Sequence, residues 1–329
     1  MGLRISGSGA VRPRRRVASD EIDRRIGRPA GWTLANFAIA ERGVAAGDET
    51  SSSLGAEAAQ TALAAAGWRP RDLDIIIGAC AVMEQPIPGT ATLVQRRLGL
   101  GDSGIPVFDV NATCLSFLAA LDVVSLGFAA GRWRRALIVS ADIASAALDF
   151  DDPEASVIFG DGAAAVALEA DPASESTLLG LRLETYGDGA ELCRLEAGGT
   201  RVRPHDGIDA FLARSRFRMD GPGVFKATAR RFPRFADRLL TTCSVRPADI
   251  DVVIPHQASA AALQHLRRAF PAAADRVVDI FADHGNQIAA SMPSALHHAI
   301  ATGRLLRGDV AFLVGTAAGV SLGGAVLRY

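Results

Sequence analysis

In the stretch DVNATCLSFLAAL, residues 109 to 121, an apolar strand-like run ends in polar residues and a lone cysteine, and an alanine-rich helical pattern begins at once. Cys114 is thereby expected in the first turn of a buried helix, where unpaired backbone N–H groups and the helix dipole favour a thiolate and lower its pKa. A free cysteine is also a common small core residue, but the polar Asn111 and Thr113 before it argue for a nucleophile. Cys80, Cys193 and Cys243 lack this setting and read as inert.

Two further residues could serve such a thiol. His256, in VVIPHQAS, follows a strand that ends in Pro255, and a histidine at a strand end faces a site more often than a core. His284, in DHGNQ, lies near the same turn and competes for the role, whereas His205, His265, His297 and His298 read as loop or helix-surface residues. Asn286 starts a helix rich in small residues, a position that also suits a turn or N-cap asparagine. Each is weak alone. Together Cys114, His256 and Asn286 make a much stronger case than any one of them.

Composition bounds what these residues can serve. The chain has 329 residues, 49% apolar and 22% charged, in the range of a globular enzyme. A formal net charge of −1 argues against a general nucleic-acid binder, and Lys226 is the single lysine. The four cysteines form no C-x-x-C pair and no histidine stands at metal-ligand spacing, so neither a disulfide framework nor a metal site is expected, and a reducing cytoplasm is the default. No apolar run reaches the roughly 18 residues that a membrane span needs. The opening MGLRISGSG matches a loose myristoylation pattern, but reads better as a first strand with a glycine turn. No charged segment leads into an apolar one as in a secretion signal.

The elements that must hold the three residues alternate. DLDIIIGAC and RALIVSAD read as buried strands and AEAAQTALAAAG as a helix ended by Gly67, which implies a parallel or mixed α/β sheet. The same order of events occurs twice. RPRDLDIIIGA pairs with RPADIDVVIPHQ, PVFDVNATC with RVVDIFADHGN, GRWRRALIVSAD with LRGDVAFLVGTA, and GDGAAAVALE with LGGAVLRY. Four matches in sequence predict a duplicated α/β chain, with halves 1–172 and 173–329 and with residues 190–222 as a loop insertion. Equivalent strand ends then share one face, where open α/β sheets place their ligands.

The combination DVNATC, FGDGAAA, VIPHQAS, HGNQIAASMPSAL and GTAAGVSLGGAVLRY, spread over nearly the whole chain, strongly resembles the β-ketoacyl-acyl carrier protein synthase III family of the thiolase superfamily. The resemblance implies a duplicated five-layer α-β-α-β-α fold and a homodimer with a Cys-His-Asn triad, here Cys114, His256 and Asn286. It implies acyl transfer from an acyl-CoA or acyl-carrier-protein primer to Cys114. Decarboxylative condensation with malonyl-ACP or malonyl-CoA follows, in fatty-acid or specialised, polyketide-like biosynthesis. The oxyanion hole would be the backbone N–H groups of Cys114 and Ala318. Neither a metal nor another cofactor is implied.

By the same resemblance Trp32, Ile87 and Thr316 would meet the substrate and its pantetheine arm, and Lys226, Arg267 and Arg268 would dock the acidic acyl carrier protein. Several positions depart from the family. The arginine expected before SVIFGDG is missing from DDPEA, Asn36 replaces a phosphate-binding arginine, and Ala261 replaces a docking one. The segment MEQPIPGTATLVQ should cross the dimer. Glu84 within it stands three residues too early to be the base of the related olefin-forming enzymes. Two alternatives remain: an acyltransferase to a hydroxyl or amine without decarboxylation, and a non-catalytic subunit of a heterodimer.

Overall fold

The computed structural model describes residues 2–329. Strands β1 (Leu3–Val11), β2 (Arg15–Ala18), β3 (Glu41–Val44), β4 (Ile75–Gly78), β5 (Val107–Asp109), β6 (Arg135–Asp142) and β7 (Gly162–Ala170) come first. Five of them form one mixed sheet in the order β1-β7-β6-β4-β5, while β2 and β3 pair separately. Strands β8 (Thr177–Thr185), β9 (Cys193–Arg194), β10 (Arg218–Met219), β11 (Val252–Pro255), β12 (Val310–Ala317) and β13 (Ser321–Arg328) follow. The second sheet runs β11-β12-β13-β8, and β9 pairs with β10.

Helices separate and cover the two sheets. The Ser51–Ala66 helix packs on β1, β7 and β6, and the Phe232–Thr242 helix packs on β13 and β8. Between the sheets lie the Ser116–Ala129 and Ser291–Ala301 helices, the first against β6, β8 and β13, the second against β1, β7 and β11. The result is five layers, α-β-α-β-α. Local sequence explains the pieces. Thr50 and Ser53 form a capping box at the start of the Ser51–Ala66 helix, and Gly67 ends it at φ 70°. The β4 run Ile75-Ile76-Ile77 is wholly buried, as expected for a central strand covered on both faces.

The paired segments share their local build. A 3-10 turn, Pro70–Asp72, leads into β4, and another, Pro247–Asp249, leads into β11. In each the aspartate accepts the N–H of the arginine three residues earlier, at 2.8 Å from Arg69 and 3.0 Å from Arg246. Residues 190–222, expected as loops, instead carry β9, β10 and the Ile208–Arg214 helix. Two-residue strands and a seven-residue helix are too short to show a period in the sequence.

The largest apolar cluster joins both sheets through the central layer. Leu118, Leu121 and Val124 meet Ile77 and Ile138 of the first sheet and Ile254 and Leu313 of the second. Leu118 is wholly buried. Replacing it by alanine should remove about 2–5 kcal/mol of stability. In urea the unfolding midpoint should fall while its slope stays constant. An unchanged midpoint would show that the central layer does not hold the sheets together.

Candidate active site

Cys114 sits in a 3-10 turn, Thr113–Leu115, that feeds directly into the central Ser116–Ala129 helix. Asn111 builds this elbow, its Oδ1 accepting the Thr113 N–H at 2.9 Å. Ser116 braces it further, because its Oγ accepts the Ala112 N–H at 3.0 Å and donates to the Thr113 carbonyl at 2.7 Å. Thr113 adopts φ 52°, a left-handed conformation that is costly for a β-branched residue and concentrates at functional sites. The two polar residues before the cysteine therefore shape the turn.

The sulfur of Cys114 faces two backbone N–H groups, that of Ala318 and its own. These are the donors expected of an oxyanion hole. The thiol, however, is not depressed as the helix-start position predicts. Burial first, then the nearby Cys193 and Asp142, push it up to about 12, and the two N–H groups offset this only in part. Desolvation of the charged form outweighs the helix-end field here, because the turn is covered by the second sheet. Cys193, expected to be inert, lies close enough to act on the nucleophile.

His256 follows β11, which is parallel to β12, and its N–H donates to the Val314 carbonyl at 2.8 Å. It is buried, and Nδ1 has no hydrogen-bond partner among the described residues. Burial pulls its pKa down to about 4, so the imidazole is neutral at pH 7. A Cβ placed on Gly315 would lie 2.7 Å from the His256 Cβ, 3.2 Å from Met292 Cε and 3.3 Å from Leu115 Cδ2. One glycine thus marks where the histidine, the nucleophile's neighbour and the second central helix converge.

Asn286 is held by both halves of the chain. Its N–H donates to the Ile158 carbonyl at 2.7 Å, and its own carbonyl accepts the Gly160 N–H at 3.1 Å. Its Oδ1 accepts the Ile288 N–H at 2.9 Å, which turns Nδ2 toward the His256 loop, where it donates to the Ala258 carbonyl at 3.4 Å. Gly285, at φ 65°, makes the preceding bend. His284 turns elsewhere: it lines a separate cavity of about 300 Å³ with Arg12, Arg16, His297 and His298. It does not compete with His256.

The remaining residues are placed more widely. Thr316 is half-buried in β12, two residues before Ala318. Trp32 starts the Trp32–Phe37 helix, with the Arg28 guanidinium 5.0 Å from its ring centroid, so the stacked cation comes from upstream instead of from DDPEA. Asn36 donates to the Trp32 carbonyl at 2.8 Å. Ile87 is 86% exposed. Lys226, Ala261 and Arg268 are exposed, but Arg267 pairs with Asp279 at 2.8 Å, which weakens it as a docking cation. Glu84 is tied down, since its Oε2 accepts the Ser52 N–H at 2.7 Å. Asp142, which no sequence pattern singled out, is wholly buried behind the cysteine. Among the described residues no group of three or more His, Cys, Asp or Glu is placed to hold a metal ion.

This arrangement has relatives. Residues 108–193 match the family described as 3-oxoacyl-[acyl-carrier-protein (ACP)] synthase III, and residues 240–329 match its C-terminal domain. A beta-ketoacyl-[acyl-carrier-protein] synthase III of Neisseria meningitidis serogroup C is 34% identical over 99% of both chains. One from Synechococcus sp. is 35% identical over 100% of this chain and 98% of its own. Among solved structures, the 3-oxoacyl-[acyl-carrier-protein] synthase III of Aquifex aeolicus superposes with a TM-score of 0.90 at 30% identity, each chain wholly covered. Xanthomonas campestris OleA, at 21% identity and a TM-score of 0.87, shares the fold. Matched along its whole length, this chain belongs to the 3-oxoacyl-[acyl-carrier-protein] synthase III family and has its thiolase-like fold.

Proposed function

We propose that this protein is a β-ketoacyl-acyl carrier protein synthase III that joins an acyl primer to a malonyl thioester. The observation that carries this reading is a Cys114 thiol met by the N–H groups of Ala318 and Cys114, with a neutral buried His256 converging with Leu115 on Gly315 and the Asn286 amide turned toward the His256 loop. A protonated thiol needs a base. His256 takes the Cys114 proton as the sulfur attacks the primer thioester, and the leaving CoA or carrier thiolate takes that proton away. The two N–H groups hold the oxyanion of the tetrahedral intermediate.

In the second step the malonyl carboxylate leaves as carbon dioxide. The electron pair of the broken C–C bond passes into an enolate, whose oxygen is held by His256 and the Asn286 Nδ2. The enolate carbon attacks the acyl-cysteine carbonyl, and the Cys114 thiolate departs. The departing thiolate takes up one proton from water, and the step needs neither metal nor redox cofactor. Transfer of the acyl group to a hydroxyl or amine would need no enolate donor, and the intact Asn286 favours condensation.

The partners follow. Strand β5 is an open edge of the first sheet and exposes Phe108, while Met83 and Ile87 (86%) are exposed in the segment that leads into the Thr90–Arg97 helix. An apolar sheet edge of this kind suits a second copy of the chain, hence a homodimer. Lys226 and Arg268 are the exposed cations to which an acidic acyl carrier protein would dock. No helix among the described residues is long and apolar enough to cross a membrane, and we place the enzyme in the cytoplasm.

Two measurements test this function. With malonyl-carrier protein and acetyl- or octanoyl-thioester primers, carbon dioxide release should depend on primer and fall on the order of a hundredfold or more in Asn286→Ala. Release absent in the unsubstituted protein, while Cys114 still gains acyl mass, would sink condensation in favour of plain acyl transfer. The rate of Cys114 acylation should be level across neutral pH, because His256 is already neutral there, and should fall as pH drops toward about 4 and the imidazole gains a proton. A decline centred between pH 6 and 7, the ordinary range of histidine, would refute the depressed base.

A further inference from the structure

Asp142 ends β6 wholly buried, and no step above uses it. Its Oδ1 accepts the N–H groups of Ala81 at 2.8 Å and Val82 at 2.7 Å, and its Oδ2 accepts the Ala289 N–H at 2.9 Å. The two loops so joined lie far apart in the chain. The loop at Ala81 borders the nucleophile's elbow, where Asn111 Nδ2 donates to the Ala81 carbonyl at 3.4 Å. Ala289 belongs to the 3-10 turn Ile288–Ala290, whose Ile288 N–H is bound by Asn286 Oδ1 at 2.9 Å. A single carboxylate therefore touches the supports of both Cys114 and Asn286.

We propose that Asp142 is a positioning residue that clamps the Cys114 elbow to the Asn286 turn. Backbone donors on both oxygens favour the acceptor-only, ionised carboxylate. Burial opposes that charge and pushes its pKa up to about 7. The titratable groups that feel Asp142 are the thiols of Cys80 and Cys114, and both are raised. The inference rests on Cys114 as nucleophile and Asn286 as enolate donor.

The test is Asp142→Asn, which keeps the shape but removes the charge and turns an amide NH2 against a backbone donor. The pH midpoint for iodoacetamide labelling of the Cys114 peptide, followed by mass, should move down by on the order of one unit. Malonyl decarboxylation should fall on the order of tenfold to a hundredfold more than primer acylation, as the Asn286 turn shifts. Asp161→Asn serves as the structural control. Asp161 is as deeply buried, but its side chain binds Ser145 and Ala45, so its loss should cost stability without moving the midpoint. An unmoved midpoint in Asp142→Asn, with both half-reactions falling together, would reduce Asp142 to a structural role and overturn the proposal. Should Asp142→Asn fail to fold, Asp142→Glu keeps the charge on a longer stem. It should retain the midpoint and lose decarboxylation, and unchanged decarboxylation would also overturn the proposal. If the unsubstituted protein never acylates Cys114, the proposed function fails, while the labelling shift still decides whether Asp142 acts on the Cys114 elbow.

Discussion

Everything in this site depends on two helices buried between two sheets. The Ser116–Ala129 and Ser291–Ala301 helices pack against strands of both sheets, so their starts are fixed by packing on both faces. Cys114 stands two residues before the first helix and Asn286 five before the second. Close-packed interiors transmit small displacements instead of absorbing them, and here that rigidity holds the nucleophile and the amide to one geometry. The same layer supplies the largest apolar cluster, so the core that stabilises the fold and the frame that places the chemistry are one object.

Burial also sets the electrostatics. The thiol is raised to about 12 and the imidazole lowered to about 4, each toward its neutral form. A neutral thiol and a neutral imidazole add no charge of their own to a buried site. Charge develops only as the sulfur attacks, and the N–H groups of Ala318 and Cys114 are already in place to meet it. The same two N–H groups favour the Cys114 thiolate, but theirs is the smaller effect.

The two halves are sewn together by polar bonds at the points where function needs them. Asn286 exchanges backbone hydrogen bonds with Ile158 and Gly160, while Gln287 Nε2 donates to the Asp161 carbonyl at 3.1 Å. Gly315 allows β12 to approach His256 more closely than any side chain would permit. Such contacts carry no periodic pattern. They were illegible beforehand because each depends on residues more than a hundred positions apart, or on the absence of one Cβ.

The sequence alone determined the class of the fold and the identity of the three central residues, because burial leaves its mark on neighbouring positions. Apolar runs gave the buried strands and an alanine-rich stretch a helix, the matched segments gave the two-part order, and family motifs marked Cys114, His256 and Asn286. Tertiary structure decided what those residues are chemically. It raised the thiol that a helix start should lower, sent His284 to another cavity, and neutralised Arg267 with Asp279. It also brought Cys193 and Asp142 within reach of the nucleophile. A pKa or an ion pair is a property of the surroundings in three dimensions, and those surroundings come from distant parts of the chain.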